Sequence, residues 1–268
     1  MSYAARVPEG DTIFKTARNL RTVLVGRSIV RFDAPRLIGP RPRPGTRIDA
    51  VESRGKHLLV HFADGRVLHT HLQMSGTWHL YRHGERWRQP IQRARVVLEV
   101  DDGTVAVCFL APVVEVLTEH DTRRPAAGLD RLGPDLCDAA PDFDAVLSRL
   151  ERLDPTTEIA GALLDQQVAS GIGNVYKSEV LFACGVHPST PVSALDRDMR
   201  RRLYETASRL LRANLERARR TTVPQGLAVY GRAGRPCRRC GTLIRRRRQG
   251  PGARSTYWCA TCQPFAPD

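Results

Sequence analysis

Long apolar runs are missing from this 268-residue sequence. No stretch approaches the roughly 20 apolar residues that a membrane-spanning helix needs. The first residues also lack the apolar segment and small-residue cleavage site of a secretory signal. Both absences predict a protein without a membrane partner. The length is sufficient for well-packed cores and suggests two domains or one large one.

Lysine and acidic residues are scarce beside arginine. The chain has 42 lysines and arginines against 28 acidic residues, a net charge of +14 and a pI of about 10.2. Lysine occurs only at Lys15, Lys56 and Lys177. Residues 226–268 contain nine arginines and one acidic residue, and therefore more than half of the excess charge. This concentration predicts a polyanionic partner such as nucleic acid.

Four of the seven cysteines form two Cys-x-x-Cys pairs near the C-terminus. Each pair can direct two thiolates at one ion, and two pairs complete a tetrahedral zinc site. The residues between the pairs indicate two short strands joined at 250–252, a zinc-ribbon hairpin that holds the arginine run 245–248 outward. Disulfides or chance spacing are the alternatives. The expected zinc ligands are Cys237, Cys240, Cys259 and Cys262. The cysteines that stand alone, Cys108, Cys137 and Cys184, favour a reducing cytoplasm.

Hydrophobic periodicity gives the first half of the chain a strand-rich character. Apolar residues at helical spacing predict a helix over 11–25, with Asp11 or Thr12 as its N-cap. Short strands with turn signals between them then indicate a two-sheet β-sandwich on which that helix packs. The predicted strands are 28–34, 47–52, 57–62, 66–71, 76–81, 94–100, 104–109 and 113–117.

The second half is predicted to be helical. A stretch rich in Pro, Asp and Ala at 119–141 is expected to be a linker. Helical patterning covers 142–152, 156–169, 174–184 and 196–219. The apolar stripe of the last helix is expected to face a core; it consists of Leu203, Ala207, Leu210, Leu211 and Leu215. The fold class is thus α+β and multidomain, with a β-sandwich at 8–118, a helical domain at 142–225 and a zinc finger at 226–268.

A glycine turn, Gly171-Ile172-Gly173-Asn174, precedes the helix predicted at 174–184. Glycines allow close backbone approach to a ligand, and the free N–H groups at a helix N-terminus favour a phosphate. An ordinary helix cap at a tight turn explains the same residues equally well. Beside a basic zinc hairpin, the turn is a candidate second phosphate clamp.

Short blocks along the chain resemble the formamidopyrimidine-DNA glycosylase / endonuclease VIII family from residue 8 to residue 263. They are PEG at 8–10, SRGKHL at 53–58, HLQMSG at 71–76, LGPD at 132–135, LLDQQ at 163–167, GIGNVY at 171–176, VYGR at 229–232, PC at 236–237 and RSTYWC at 254–259. The resemblance implies an N-terminal β-sandwich with its first helix, a helix–two-turn–helix domain and a zinc finger.

The same resemblance implies a bifunctional DNA glycosylase and apurinic/apyrimidinic (AP) lyase of base excision repair. In the family, the amine of an N-terminal proline attacks C1′ of the damaged nucleotide and expels the base as an iminium ion forms; β- and δ-elimination then cut the strand. Pro8 matches that proline, and Glu9 matches a glutamate that gives acid/base help at the opening sugar. Lys56 matches a strand lysine that contacts phosphate, for which an ordinary surface lysine is the alternative.

Pro8 follows Val7 in this sequence, so its nitrogen belongs to an amide without useful nucleophilicity. We expect translation to start at position 7, where a valine codon would be read as methionine. Removal of that methionine would free the amine of Pro8. On this hypothesis, residues 1–6 are not part of the native protein.

DNA-binding roles follow from the same matches. Gly173 and Asn174 in the glycine turn, and Arg254 beyond the hairpin bend, are expected to hold phosphates beside the lesion. The target nucleotide must rotate out of the stack. Gln73 and Met74 match the residues that fill the gap, with a core methionine as the alternative for Met74. The expected partner is damaged DNA. It is expected to be duplex DNA, with single-stranded or bubble DNA as further substrates, and the protein is expected to bind as a monomer.

Two departures from the family bear on the lesion. Asp11-Thr12 replace a Pro-Glu pair, which removes a second helper carboxylate. Relatives that recognise 8-oxoguanine often carry an Arg-Arg-Phe-Gly segment, where this chain has Val-Cys-Phe-Leu-Ala at 107–111 and lacks the arginine that would face the partner base. We therefore favour oxidised pyrimidines, as in the endonuclease VIII branch. An oxidised-purine glycosylase and a non-catalytic, damage-binding zinc protein are the alternatives. A ribosomal or topoisomerase protein that shares only the helical domain is a more remote one.

Overall fold

Eight strands build the N-terminal part of the computed structural model, which describes residues 7–118, 128–250 and 252–265. They are β1 (Ile29–Asp33), β2 (Ile48–Arg54), β3 (His57–Phe62), β4 (Arg66–His71), β5 (Thr77–Arg82), β6 (Ala94–Val100), β7 (Thr104–Phe109) and β8 (Val113–Thr118). They form two four-stranded antiparallel sheets, with the orders β1-β6-β7-β5 and β2-β3-β4-β8. The predicted two-sheet sandwich is confirmed.

The first helix, α1 (Gly10–Leu24), supplies the buried side chains of Ile13, Ala17, Leu20 and Leu24 to the main core. Residues from both sheets belong to the same cluster, so the helix packs on the sandwich as predicted. The predicted N-cap is wrong. The helix begins at Gly10, and Asp11 lies within the first turn, where its carboxylate accepts from Arg220 instead of capping the helix.

The helical part contains α2 (Phe143–Leu150), α3 (Ile159–Ala162), α4 (Asn174–Cys184) and α5 (Arg197–Arg212). The helix predicted over 156–169 is wrong for most of its length, since only α3 forms there. The Asp165 carboxylate accepts from the backbone N–H of Gln167, and the Gln166 amide donates to the carbonyls of Leu164 and Ile172. These side chains bond the backbone in place of a continuing helix.

The last helix also ends earlier than predicted, at Arg212 rather than 219. The buried Asn214 side chain donates to the carbonyls of Leu210 and Thr221 and accepts from the N–H of Thr221, which closes a turn. Leu215 of the predicted stripe therefore lies beyond the helix. The rest of the stripe faces the core as predicted: Leu203, Ala207, Leu210 and Leu211 are buried.

Two short strands, β9 (Arg245–Gln249) and β10 (Arg254–Trp258), form the antiparallel hairpin that was predicted between the cysteine pairs. The expectation that all four arginines point outward is wrong for Arg247. Its guanidinium bonds Glu158 at 3.0 Å and lies over the ring of Trp258. Arg245, Arg246 and Arg248 are exposed.

The chain divides into two compact units, one of Thr12–Arg131 and one that joins the residues up to Asp11 with those from Leu132 onward. Pro8 and Glu9 thus belong to the same unit as the helical domain and the finger. The predicted domain limits, including the linker at 119–141, stay predictions, and residues 119–127 lie outside the described part. Among the described residues, no helix has the length and apolar character needed to span a membrane.

Candidate active site

Glu9 lies at the N-terminus of α4 and is only 1% exposed. Its carboxylate accepts from the backbone N–H groups of Gly173 at 3.0 Å, Val175 at 2.8 Å and Tyr176 at 3.2 Å. N–H groups in the first turn of a helix have no intrahelical partner and carry the positive end of the helix dipole. They compensate the buried charge, and the start of α4 thereby fixes the position of Glu9.

The glycine turn therefore holds Glu9. The N–H groups of Gly173, Val175 and Tyr176, expected to be free for a phosphate, are bonded to Glu9 instead, and the phosphate-binding role of Gly173 and Asn174 stays a prediction. A Cβ at position 173 would lie 2.4 Å from Cδ of Glu9, so only glycine fits there. Gly171 has φ +107° and accepts from the N–H of Gly10 at 2.9 Å. The segment around Pro8 thus packs directly against the turn.

Arg220 lies beside the peptide that precedes Pro8. Its Nη2 donates to the carbonyl of Val7 at 3.2 Å, and its Nε donates to Oδ2 of Asp11 at 3.1 Å. The side chains of Arg220 and Asp11 are 5% and 1% exposed, so this ion pair is buried. The guanidinium also lies 5.0 Å from the centre of the Tyr176 ring. Sequence reasoning missed Arg220, since no pattern distinguishes it among so many arginines.

Lys177 of α4 is a second missed residue, also buried. Its ammonium donates to the hydroxyl of Thr256 at 2.7 Å and to Oδ1 of Asn174 at 3.1 Å. Burial, with a further contribution from the charge of Arg254, lowers its pKa to about 8. Lys177 thus links Asn174 to the strand β10, which begins with the other predicted phosphate contact, Arg254. The scarcity of lysine was the available signal.

Glu179, two residues beyond Lys177 in α4, repeats the arrangement of Glu9. Its buried carboxylate accepts from the backbone N–H groups of Ala228 at 2.7 Å, Val229 at 2.9 Å and Tyr230 at 2.8 Å. It fixes the loop that contains the VYGR block. No motif in the sequence pointed to this residue.

The four cysteines of the finger converge on one point. Their Sγ atoms all lie within 4.8 Å of one another, and the Sγ of Cys240 lies 3.4 Å from the Sγ of Cys259 and 3.4 Å from the Sγ of Cys262. A tetrahedral S4 zinc site with bonds of about 2.3 Å separates its sulfurs by about 3.8 Å. The thiolate set and its spacing therefore fit one zinc ion, as predicted.

Lys56 belongs to the other unit and lies in a turn, so its predicted place in a strand is wrong. Arg54 of β2 pairs with His57 of β3, which leaves Gly55 and Lys56 as a two-residue hairpin turn. Gly55 has φ +59°, a conformation that glycine adopts without strain. Lys56 is half-buried at the tip of this turn.

A chain of polar side chains begins next to that turn. His57 Nδ1 lies 2.7 Å from His69 Nε2, and His69 Nδ1 lies 2.7 Å from the Glu115 carboxylate. The His71 ring is 4.8 Å from the His57 ring. Burial, with the nearby positive charges, lowers the pKa of His57 to about 3 and that of His71 to about 4. These histidines are therefore neutral at physiological pH.

Gln73 and Met74 follow β4 in an exposed turn. Gln73 has φ +47°, and Met74 is 56% exposed. The alternative of a core methionine is therefore wrong. An exposed apolar side chain at the tip of a turn is able to enter a base stack, and the predicted wedge role stays a prediction.

Three family models match the chain. The formamidopyrimidine-DNA glycosylase N-terminal domain matches residues 7–125, and the formamidopyrimidine-DNA glycosylase H2TH domain matches residues 132–225. The zinc finger found in FPG and IleRS matches residues 234–264. The predicted fold class, sandwich, helical domain and zinc finger, is confirmed.

Relatives of similar length match nearly the whole chain. The "Probable endonuclease 8 2" of Streptomyces coelicolor is 44% identical, over 96% of this chain and 94% of its own. The "DNA-(apurinic or apyrimidinic site) lyase Nei2" of Mycolicibacterium smegmatis is 41% identical, over 96% and 99%. A solved structure of an Fpg protein, "LlFpg", with THF-DNA and an inhibitor has a TM-score of 0.82 at 22% identity, covering 96% of this chain and 100% of that one.

Proposed function

Because the chain belongs to the formamidopyrimidine-DNA glycosylase / endonuclease VIII family, we propose that its endonuclease 8-like glycosylase and AP lyase activity proceeds through a Schiff base on Pro8. In this reaction, the Pro8 nitrogen bonds to C1′ of the damaged nucleotide and the base leaves with a proton. The C1′–O4′ bond then breaks as the iminium ion forms. Loss of a proton from C2′ starts β-elimination, and δ-elimination completes the strand cut.

One observation carries this proposal: Glu9 is buried and held by the backbone N–H groups of the glycine turn. Enzymes place a reacting group accurately when fixed elements hold its neighbours. The turn holds Glu9, and Pro8 is covalently joined to it. This arrangement supports the proposed proton exchange between Glu9 and the opening sugar.

The proposal requires a free Pro8 amine. In the structure, the Pro8 nitrogen is part of the Val7–Pro8 peptide, and the Val7 carbonyl accepts from Arg220. An amide nitrogen does not attack C1′, so the active form begins at Pro8. Initiation at position 7 followed by removal of the initiator residue produces that form.

We assign DNA binding to both units. Asn174, set by Lys177, and Arg254 of the finger contact phosphates beside the lesion, together with Lys56 at its hairpin turn. Gln73 and Met74 fill the gap left by the flipped nucleotide. Zinc maintains the finger from which Arg254 extends.

Oxidised pyrimidines are the proposed substrates, in duplex and in single-stranded or bubble DNA. The basis is the segment 107–111, which has no arginine to face the partner base. Residues 107–109 are buried within β7, and Ala111 is also buried, which leaves little of this segment to contact a base. We propose a monomer in the cytoplasm, and the unpaired thiols of Cys108, Cys137 and Cys184 support the reducing character of that compartment.

The decisive experiment compares two forms of the protein, one beginning at Pro8 and one that retains Val7. Borohydride reduction in the presence of abasic DNA should produce a covalent adduct with the first form and none with the second. Intact-mass analysis of the native protein should show a chain beginning at Pro8. Equal adduct yields from the two forms would disprove a role for the Pro8 amine.

A panel of single-lesion oligonucleotides tests the substrate class. Thymine glycol should be excised faster than 8-oxoguanine from duplex DNA, and excision from single strands should at least equal that from duplex. Preference for 8-oxoguanine would favour the oxidised-purine alternative. Binding of every lesion without an adduct or strand cut would indicate a non-catalytic binder.

A further inference from the structure

The buried ion pair between Arg220 and Asp11 contributes little to stability for the interior volume that it fills. The free energy needed to remove both charges from water often exceeds the free energy of their attraction. Apolar side chains of similar volume are therefore often as stable in such a place. Burial opposes the charge of Arg220, but the carboxylates of Asp11 and Glu9 outweigh that effect and raise its pKa above the ordinary value. The guanidinium is therefore a permanent cation that can donate but not release a proton.

The position of Val7 shows what this cation can reach. The carbonyl carbon of Val7 is bonded to the Pro8 nitrogen, and in the covalent intermediate C1′ of the sugar takes the same place on that nitrogen. The Val7 carbonyl oxygen is bonded to the Val7 carbonyl carbon, just as O4′ is bonded to C1′. The Val7 oxygen therefore marks the position that O4′ takes in the intermediate. Nη2 of Arg220 donates to that oxygen at 3.2 Å. Its bonds to Asp11 do not involve Val7, so they hold the guanidinium in place when Pro8 is the first residue.

We propose that Arg220 is a catalytic residue for opening of the sugar ring, and that it donates a hydrogen bond from Nη2 to O4′ while Pro8 is bonded to C1′. The inference rests on the Schiff-base function proposed above. As the nitrogen lone pair forms the C=N bond, the electron pair of the C1′–O4′ bond moves onto O4′. Arg220 stabilises the negative charge that develops there. Glu9 takes one proton from the Pro8 ammonium when the free amine forms and gives it to O4′, which becomes a hydroxyl; the remaining N–H proton of Pro8 leaves with the base. Asp11 is a positioning residue, because it touches Arg220 and not the sugar.

The test measures single-turnover formation of the borohydride-trappable adduct on abasic DNA, with protein beginning at Pro8. Arg220→Gln should slow adduct formation about 10- to 100-fold, the range for loss of a charged donor. Arg220→Lys should recover part of the rate. Asp11→Asn keeps an acceptor for the guanidinium and should slow the reaction less than Arg220→Gln. Affinity for DNA with a tetrahydrofuran abasic analogue should change less than threefold.

A substrate with sulfur in place of O4′ separates catalysis from structure. Sulfur is a weak acceptor, so Arg220→Gln should slow adduct formation on this DNA much less than on the oxygen substrate. Equal slowing on both substrates would mean that Arg220 acts only through the fold, and no slowing on either would also overturn the proposal. If the unchanged protein beginning at Pro8 forms no adduct on abasic DNA, the Schiff-base function itself has failed, which is a different result.

Discussion

The ammonium group of Lys177 donates to the hydroxyl of Thr256 at 2.7 Å, and neither side chain is more than 1% exposed. The bond joins α4, which begins with Asn174, to β10, which begins with Arg254. A single buried amine therefore sets the spacing of two proposed phosphate contacts. Because its other bond is to Oδ1 of Asn174, it also orients that side chain.

Lys177→Met should weaken binding to abasic-site DNA severalfold and lower the free energy of unfolding of this unit. The methionine fills the volume but leaves the Thr256 hydroxyl without its donor, and a buried polar group left unsatisfied costs about 1–3 kcal/mol. Binding is measured by fluorescence anisotropy and stability by urea unfolding. Unchanged affinity in a folded variant would show that Asn174 needs no support from Lys177.

Thr256→Val is the matched control for that variant, since it removes the acceptor and keeps the amine. If the two residues act through their mutual bond, the double variant should lose less affinity and less free energy of unfolding than the sum of the losses in the two single variants. Additive losses would mean that the two residues stabilise the protein independently.

Glu9→Gln should abolish most base excision while reducing stability only moderately. The amide retains one acceptor for the turn but loses the charge and the proton-transfer capacity proposed for Glu9. Glu179→Gln is a close control, because Glu179 is equally buried and also accepts from three backbone N–H groups. Excision of thymine glycol and the melting temperature are the two measurements.

Both variants should lose a similar amount of stability, and only Glu9→Gln should lose excision by 100-fold or more. If Glu179→Gln loses as much activity as Glu9→Gln, the effect of Glu9 is that of a buried anchor and not of an acid or base. Full activity in Glu9→Gln would remove the residue from the mechanism.

Most of the fold was predictable because its signals are local. Alternating apolar residues and the turn signals between them placed all eight strands of the sandwich. The spacing of Cys237, Cys240, Cys259 and Cys262 identified the metal site. In each case, the pattern that forms the element lies within a few residues.

The contacts that build the site were not predictable, because they join distant parts of the chain. Glu9 accepts a hydrogen bond from Gly173, 164 residues away in the sequence, and Arg220 donates to Asp11, 209 residues away. Asp11 was expected to cap a helix because only its neighbours were considered. The partner that overrides this preference is more than 200 residues away.

Cys259→Ser should remove zinc and reduce DNA affinity while the β-sandwich stays folded. Cys259 is completely buried among the four ligands, and zinc contributes folding free energy directly to a finger of this size. Metal analysis should show about one zinc per chain in the unchanged protein and much less in the variant. DNA binding is compared at one fixed salt concentration, since phosphate contacts depend strongly on salt.

Cys184→Ser provides the control for thiol loss, because Cys184 lies at the end of α4 and is not among the clustered cysteines. It should retain both zinc and affinity. Zinc retained at wild-type content in Cys259→Ser would exclude the four-cysteine assignment.

The histidines of the sandwich should make that unit sensitive to acid. The folded pKa values of His57 and His71, about 3 and about 4, lie below the ordinary value of 6.5. At pH values between the folded pKa of each histidine and its ordinary pKa, the unfolded chain binds more protons than the folded chain. The free energy of unfolding therefore decreases as the pH falls through this range. Each proton contributes a slope of at most about 1.4 kcal/mol per pH unit.

His57→Gln should therefore reduce the loss of stability between pH 6.5 and pH 4, because glutamine takes up no proton on unfolding. Hydrogen exchange at the amides of β3 and β4, followed across this range, reports on the sandwich alone. His83→Gln is the control, since the side chain of His83 is 77% exposed and its replacement should leave the acid dependence close to that of the unchanged protein. An acid dependence that is the same in His57→Gln and the unchanged protein would show that carboxylates elsewhere in the unit, and not these histidines, limit its stability in acid.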